Sequence, residues 1–425
     1  MVIPKTESQL TAEYLNSVLV DFKTITSVDV KHPRTYGMTS NVRKLFLTYD
    51  QCEKEGLSPS TIIAKYGKPA NEILLNQSPD ADFMQHGEIC KRETLLNQYL
   101  NGRDVLPVIY YAKCNDDQDY LILMEDCSHE EDVKVKENVI MNTMSIKEAR
   151  LIVAKLAKFH AEFYHKNSLE KFNGILAGNN DLFMKAKGLD WLPDCFSTIY
   201  CFAFRDEFSK VEDRNEFTSY NDKSLRRLAK SVGSLWNTGF DIIESKFKEI
   251  SDMYPDHDIP DMAKYIKKSP KTVEEFYHDS MKLFIEDAAL TLVHGDFRSD
   301  NILVHEDVKF LDWQFGSLGC GCFDLSSFIV NSFDLKEVVS HEEELLELYV
   351  SALQQNGCDW LVLDDVKKWY QYSMWHSFKR ALDMVNQLQK LYSKAIRIFN
   401  AQHLDKIMLQ KFSVCIYRVY KNFYA

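Results

Sequence analysis

No apolar run in this 425-residue chain approaches the roughly 18 or more residues that a membrane-spanning helix needs. Its first residues, Met1 to Ser8, also lack the basic start and apolar core of a secretory signal. Together these absences set the expectation of a cytoplasmic protein without a membrane span. Positive charge is scarce as well: 51 Lys and Arg stand against 63 Asp and Glu, for a formal charge of −12. That balance argues against nucleic acid or an anionic membrane surface as a partner, because both need clustered cations to neutralise phosphates. The ten cysteines are dispersed, most inside apolar segments such as Cys201 between Tyr200 and Phe202, and read as reduced core thiols. Cys320 and Cys322 are the one close pair, and with no second pair nearby they read against a zinc site. Internal repeats and low-complexity linkers are absent too.

What is present is a motif with chemical spacing. His294-Gly295-Asp296 is followed by Asn301, and then by Leu311-Asp312-Trp313-Gln314. A hydroxyl that attacks a nucleotide γ-phosphate needs a carboxylate to orient it and accept its proton, and one or two Mg²⁺ ions to offset charge on the phosphate oxygens. Asp296 suits the first role. Asn301 and Asp312 suit the second, since Mg²⁺ prefers hard oxygen ligands. The apolar stretches Asn301 to Val304 and Val308 to Leu311, separated by His305-Glu306-Asp307, read as a tight hairpin.

The five-residue step from Asp296 to Asn301 equals that of the protein-kinase catalytic loop, but Gly295 replaces the Arg found there. No Ala-Pro-Glu segment follows Asp312, a second departure from protein kinases. His-Gly-Asp with Asp-Trp-Gln resembles the aminoglycoside phosphotransferase and choline kinase group, most closely its ecdysteroid kinase-like branch. The resemblance implies an α+β, bilobal protein kinase-like fold: a small sheet lobe with one key helix at 1–125, and a large, mostly helical lobe at 126–425. It implies ATP and Mg²⁺ as cofactors and a small molecule bearing a hydroxyl as acceptor. Two lobes also suit a chain longer than one hydrophobic core usually spans.

Lys65 closes the apolar stretch Thr61 to Lys65, the place where a kinase fold puts the ammonium that grips the α and β phosphates. Lys68 is the alternative, but Pro69 follows it and marks the strand as already ended. Glu93 is the candidate carboxylate partner, on a helix whose Ile89, Leu96 and Leu100 form an apolar stripe, with Glu88 as the alternative. Thr39, Ser40 and Asn41 occupy the place of a phosphate-covering loop that holds a single glycine, Gly37. Glu125 and Cys127 end a buried strand that resembles the hinge, where backbone groups would meet the adenine edge. The resemblance further makes Asp324 a brace for the catalytic loop and a cap for the helix after it.

Elsewhere, Ser8 reads as the cap of a first helix, and Ser145 with Glu148 as a capping box for a helix carrying Ile152, Leu156, Phe159 and Phe163. His160 on that helix reads as a core histidine. Glu342 to Glu347 reads as a helix start with a solvated face. Trp369, Tyr372 and His376 share a helix face that packs in the core or forms an aromatic wall for a sterol-like ring or a quaternary amine, and Trp191 is a second candidate wall. The function expected is phosphotransfer from ATP to a small-molecule hydroxyl. The alternative is a catalytically idle kinase-fold protein that binds a small ligand or nucleotide.

Overall fold

Period-two alternation builds the N-terminal sheet. In this computed structural model, β1 (Ile25–Lys31), β2 (Ser40–Tyr49), β3 (Thr61–Gly67), β4 (Ile109–Cys114) and β5 (Tyr120–Glu125) pair antiparallel in the order β1-β2-β3-β5-β4. The structure describes residues 2–32, 40–51, 55–67, 86–115, 119–127, 144–164, 288–304 and 307–374, scattered residues between 226 and 283, and residues 377, 414, 417 and 418. Ile62, Ala64 and Tyr66 of β3 join Leu45, Leu121, Leu123 and Leu15 of α1 (Ala12–Val18) in one buried cluster. Successive strand residues point to opposite faces, so Lys65 turns to the other side. There Tyr120 and Ile122 pack with Ile109 and with Cys90 of α2 (His86–Leu100). The register pairs Lys65 with Ile122. Alternation alone therefore aims the lysine at α2, and on that helix Leu96 and Leu100 of the expected stripe are fully buried.

The first helix starts later than its sequence suggests. Gln9 folds its Oε1 back onto the amides of Lys5 and Thr6, at 2.7 and 3.1 Å, which closes Glu7–Gln9 as a separate single turn. The cap of α1 is Thr11, not Ser8: its Oγ1 accepts the Tyr14 N–H at 3.2 Å.

Downstream, β6 (Thr291–Val293), β7 (Ile302–Val304), β8 (Val308–Phe310) and β9 (Ser317–Gly319) form two small sheets, β6 with β9 and β7 with β8. The second of these is the hairpin expected after the catalytic loop. The helix α3 (Ile146–Phe163) opens on the capping box read from sequence, with Glu148 N–H on Ser145 Oγ and Ser145 N–H on Glu148 Oε2 at 3.3 and 3.0 Å. Its buried stripe includes Ile152, Leu156, Phe159 and Phe163, and it packs against α5 (Leu335–Gln355). Between them in sequence lies α4 (Cys322–Ser332), buried at nearly every position.

The acidic run Glu342 to Glu347 does not start a helix, because Asp334 does. The Asp334 carboxylate accepts the Glu337 N–H at 3.0 Å, and Glu337 returns the bond to the Asp334 amide at 3.2 Å. Glu342 consequently falls in the body of α5, buried, accepting the Tyr370 hydroxyl at 2.7 Å and pairing with Arg418. Glu343 and Glu344 keep to the exposed side, paired with Lys367 and Arg150.

The chain divides into two compact units. One comprises Met1–Glu137 with Leu303–Phe315, the other Asn138–Ile302 with Gly316–Ala425. Leu303–Phe315 goes with the first because the Phe310 N–H reaches the Val105 carbonyl at 2.7 Å and Lys309 Nζ the Asp104 carbonyl at 2.9 Å. The turn Trp313–Phe315 also packs on α2. Among the described residues no helix is long and apolar enough to cross a membrane, and the six described cysteines are free. An antiparallel N-terminal sheet followed by a helical C-terminal region is the mixed α+β architecture expected.

Candidate active site

In the first unit, three of the candidate residues meet. Lys65 Nζ donates to Glu93 Oε1 and to Asp312 Oδ1, each at 2.6 Å. Lys65 reaches α2 by strand alternation, and Glu93 faces it from one turn after Cys90, with Asn97 a turn further on donating to the Glu93 carbonyl at 2.9 Å. An ammonium has three donors, and two of these are committed. Burial would push the lysine pKa down, but Asp312 and Glu93 outweigh it and hold Lys65 above its ordinary value. Burial raises Glu93 to about 7 against the pull of Lys65. Lys68 and the side chain of Glu88, the two alternatives, lie outside the described residues.

Asp312 has φ of 66°, and among the described residues it is the only non-glycine with positive φ. That left-handed backbone strains most side chains and is best tolerated by Gly, Asn and Asp. Its Oδ2 is met by Gln314 Nε2 at 3.4 Å, a long and weak contact.

The expected phosphate loop is only partly visible, since Thr39 lies outside the described residues. Ser40 and Asn41 belong to β2, paired opposite Gly67 and Tyr66. Ser40 is buried, and the Asn41 amide donates to the Gly67 carbonyl at 3.2 Å. At the strand end proposed as hinge, the Glu125 N–H is spent on the Val108 carbonyl at 2.8 Å, and its carboxylate accepts the Val108 N–H at 3.0 Å. Cys127 is half-buried, and burial raises its thiol to about 12, so it is a neutral thiol at physiological pH.

The second unit carries the candidate catalytic loop. β6 delivers His294, and Gly295 follows with φ of 79°, a conformation glycine adopts without strain. The turn is clamped by Asp324 of α4, whose Oδ2 accepts the His294 amide at 2.6 Å and whose Oδ1 accepts the Gly295 amide at 2.9 Å. His160 Nε2 lies 3.2 Å from Asp324 Oδ2, and His160 Nδ1 lies 2.7 Å from the Tyr349 hydroxyl. A carboxylate only accepts, so His160 donates from Nε2 and takes the tyrosine proton at Nδ1. Burial keeps Tyr349 well above the ordinary tyrosine value, which suits it as that donor. His160 is thus a core histidine with both nitrogens in use. The cap of α4 is Gly321, not Asp324. A Cβ on Gly321 would collide with the Tyr349 and Tyr164 hydroxyls and with His160 Nδ1, so only glycine fits that approach.

Phe297, fully buried, packs on Phe328 at 5.8 Å between ring centroids and pins the loop to α4. Asn301 Nδ2 donates to the Asp296 carbonyl at 2.9 Å and approaches Asp296 Oδ2 at 3.3 Å. Arg298, which sequence reasoning passed over, places Nε 3.4 Å from Asp296 Oδ2 and Nη2 3.0 Å from Asp300 Oδ2. Its signal was there to be read: a cation between two aspartates inside the motif. Tyr349, 189 residues from His160, left no such trace.

The residues fit Mg²⁺ by donor chemistry. Asn301 commits its nitrogen to Asp296, which turns its hard oxygen into the group a metal would use, and Asp312 holds only a weak contact on Oδ2. No group of three or more His, Cys, Asp or Glu among the described residues is arranged as a metal cage. Mg²⁺ in nucleotide sites needs none, because one or two carboxylates and the substrate phosphates complete its shell. Of the aromatic segment, Trp369 and Tyr370 are buried and Tyr372 is half-buried, while His376 and Trp191 lie outside the described residues.

A model described as the ecdysteroid kinase-like family matches residues 208–359. No curated protein matches the chain. Among solved structures, the chain is similar to the GDP complex of wild-type aminoglycoside 2'-phosphotransferase-IIIa, at 11% identity and TM-score 0.47, over 98% of this chain and 100% of that one. It is also similar to a microcompartment-associated aminopropanol kinase, at 9% identity and TM-score 0.39, over 96% and 97% of the two chains. A third is an amicoumacin kinase with AMP-PNP, at 10% identity and TM-score 0.35, over 93% and 94%. At TM-scores below 0.5 these likenesses carry no weight for substrate or mechanism.

Proposed function

We propose that this protein is an ATP- and Mg²⁺-dependent phosphotransferase that moves the γ-phosphate onto a hydroxyl of a small molecule, with sterol-like and amino-alcohol acceptors as the first classes to test. The observation that carries the reading is the bridge from Lys65 to both Glu93 and Asp312 at 2.6 Å. A buried lysine held between two carboxylates, with one N–H uncommitted, suits an anionic ligand such as a nucleotide phosphate.

In this reading Lys65 donates to the α and β phosphates, and Glu93 keeps its ammonium in place. Backbone groups of the Glu125 to Cys127 segment meet the base, with the Cys127 N–H as donor because that of Glu125 is spent on Val108. The strand start at Ser40 and Asn41, with Thr39 before it, lies over the phosphates and supplies backbone N–H groups. Asp312 and Asn301 hold Mg²⁺, which when bound offsets charge on the phosphate oxygens. Asp296 orients the acceptor hydroxyl. As the acceptor oxygen bonds to the γ-phosphorus, its proton passes to the Asp296 carboxylate and the bond from the γ-phosphorus to the bridging oxygen breaks, leaving ADP. Asp324 fixes the backbone of the loop that carries Asp296, through the amides of His294 and Gly295.

The experiment is transfer from radiolabelled Mg²⁺-ATP to a panel of alcohols, sterols and amino-alcohols, with Asp296→Asn as control. Transfer that disappears in the variant supports the reading, and no Asp296-dependent transfer to any acceptor sinks it. A second reading, an idle kinase-fold protein that binds a small ligand, draws on the burial of Ser40 and the commitment of the Asn41 amide to Gly67, which leave few side-chain donors for phosphate. A melting temperature raised by a panel compound but unmoved by Mg²⁺-ATP would favour it.

A further inference from the structure

We infer that Arg298 is a positioning residue for the general base, holding the Asp296 carboxylate in its reactive orientation by bridging it to Asp300. The inference rests on the phosphotransfer reading above. It starts from backbone geometry. Phe297 is driven into the core against Phe328, and Arg298 is extended, with φ of −147° and ψ of 161°. From that extended start the Arg298 guanidinium reaches the Asp296 carboxylate.

The guanidinium then spans two carboxylates. Nε stands 3.4 Å from Asp296 Oδ2 and Nη2 stands 3.0 Å from Asp300 Oδ2, with side-chain exposures of 19% for Arg298 and 13% for each aspartate. At such low exposure, solvent screens the pairs less than at an open surface. The Asp300 end is the closer ion pair and anchors the guanidinium, while the Asp296 end is a longer one that acts through charge. Asn301 adds a neutral contact: its Nδ2 donates to the Asp296 backbone carbonyl at 2.9 Å and approaches the carboxylate at 3.3 Å. Removing the guanidinium takes the Arg298 cation from between the two carboxylates, which lets their repulsion turn Asp296 away from the acceptor.

The roles separate cleanly in kinetics. A group that aligns the base acts on the chemical step, whereas nucleotide affinity depends on Lys65, Glu93 and the metal ligands. Initial rates of ADP release from Mg²⁺-ATP, with water and with the best acceptor of the panel, are measured for the wild type, Arg298→Gln, Arg298→Lys and Asp300→Asn, with melting temperatures alongside. The expected result for Arg298→Gln is a fall in kcat of about 100-fold, the scale of a misplaced reacting group, with the KM for Mg²⁺-ATP changed by less than about threefold. Arg298→Lys recovers part of the loss, because an ammonium keeps the charge but not the fork. Asp300→Asn lowers kcat by less than Arg298→Gln, since it loosens only the far end of the bridge.

An unchanged kcat in a folded Arg298→Gln variant overturns the inference, as does a loss of kcat, nucleotide KM and melting temperature together with no recovery by lysine. If Arg298→Gln does not fold, unchanged kcat in both Arg298→Lys and Asp300→Asn overturns it. Absence of Asp296-dependent turnover in the wild type is a different outcome, which removes the phosphotransfer reading itself.

Discussion

The two units restrain their acidic groups by opposite means. In the first, charge answers charge: Lys65 is shared by Glu93 and Asp312. In the second, Asp324 is held by two backbone amides and a histidine ring N–H. A shared cation can trade partners when a ligand brings phosphates or a metal, because each ion pair can be replaced by another of like sign. A carboxylate woven into the backbone cannot. One arrangement suits a place that must accept a charged substrate, the other a loop that must not move.

The sharpest way to test that contrast is to remove the group the rigid loop carries. Asp296→Asn should lower kcat for phosphate transfer by roughly 10²–10⁴-fold while Mg²⁺-ATP still raises the melting temperature. An equal loss of nucleotide binding would mean that the units do not divide the work. Next comes the clamp. Asp324→Ala strips the acceptor from two buried amides and from His160, and should cost roughly 2–4 kcal/mol in urea unfolding, with Asp324→Asn intermediate. A cost near zero would deny the clamp its role.

Glu93 probes the charged triad through pH. Its folded value of about 7 lies above the ordinary 4.5, so between these limits the folded state holds a proton that the unfolded chain has released. This contribution to stability is complete below pH 4.5 and is lost as pH rises through 7. Its size is at most about 3 kcal/mol. Unfolding free energies measured across that window should therefore fall with pH, and Glu93→Gln should flatten the slope. The smallest effect is expected where charges meet in water: Arg150 with Glu344 is an open surface pair, and Arg150→Ala should leave the melting temperature unchanged within error.

What the sequence made legible follows the same division. The spacing from Asp296 to Asn301 and Asp312 is short and local, so it stands out as a readable pattern. Lys65 was legible because strand alternation and a following proline leave little choice, and Ser145 with Glu148 because a capping box is entirely local. Glu342 was misread because a run of glutamates looks solvated, and nothing near it in sequence announces Tyr370 or Arg418. Ser8 lost to Thr11 through one glutamine side chain closing a competing turn. Tyr349 was invisible because its partner is far away in the chain, and long-range contacts between buried polar groups leave no periodicity. Arg298 was overlooked for the opposite reason: it sits inside the motif and was treated as filler between two named positions.

The backbone at Asp312 bears on how such a protein could change over generations. A left-handed φ of 66° is cheaper for glycine than for aspartate, by about 1 kcal/mol. Glycine there would also take from Lys65 a carboxylate that holds its buried ammonium charged. A library selected only for thermal survival therefore sets backbone relief against a lost ion pair at 312, while one selected for phosphate transfer should keep the acid. The same position, followed under the two selections, would report which pressure shaped the chain.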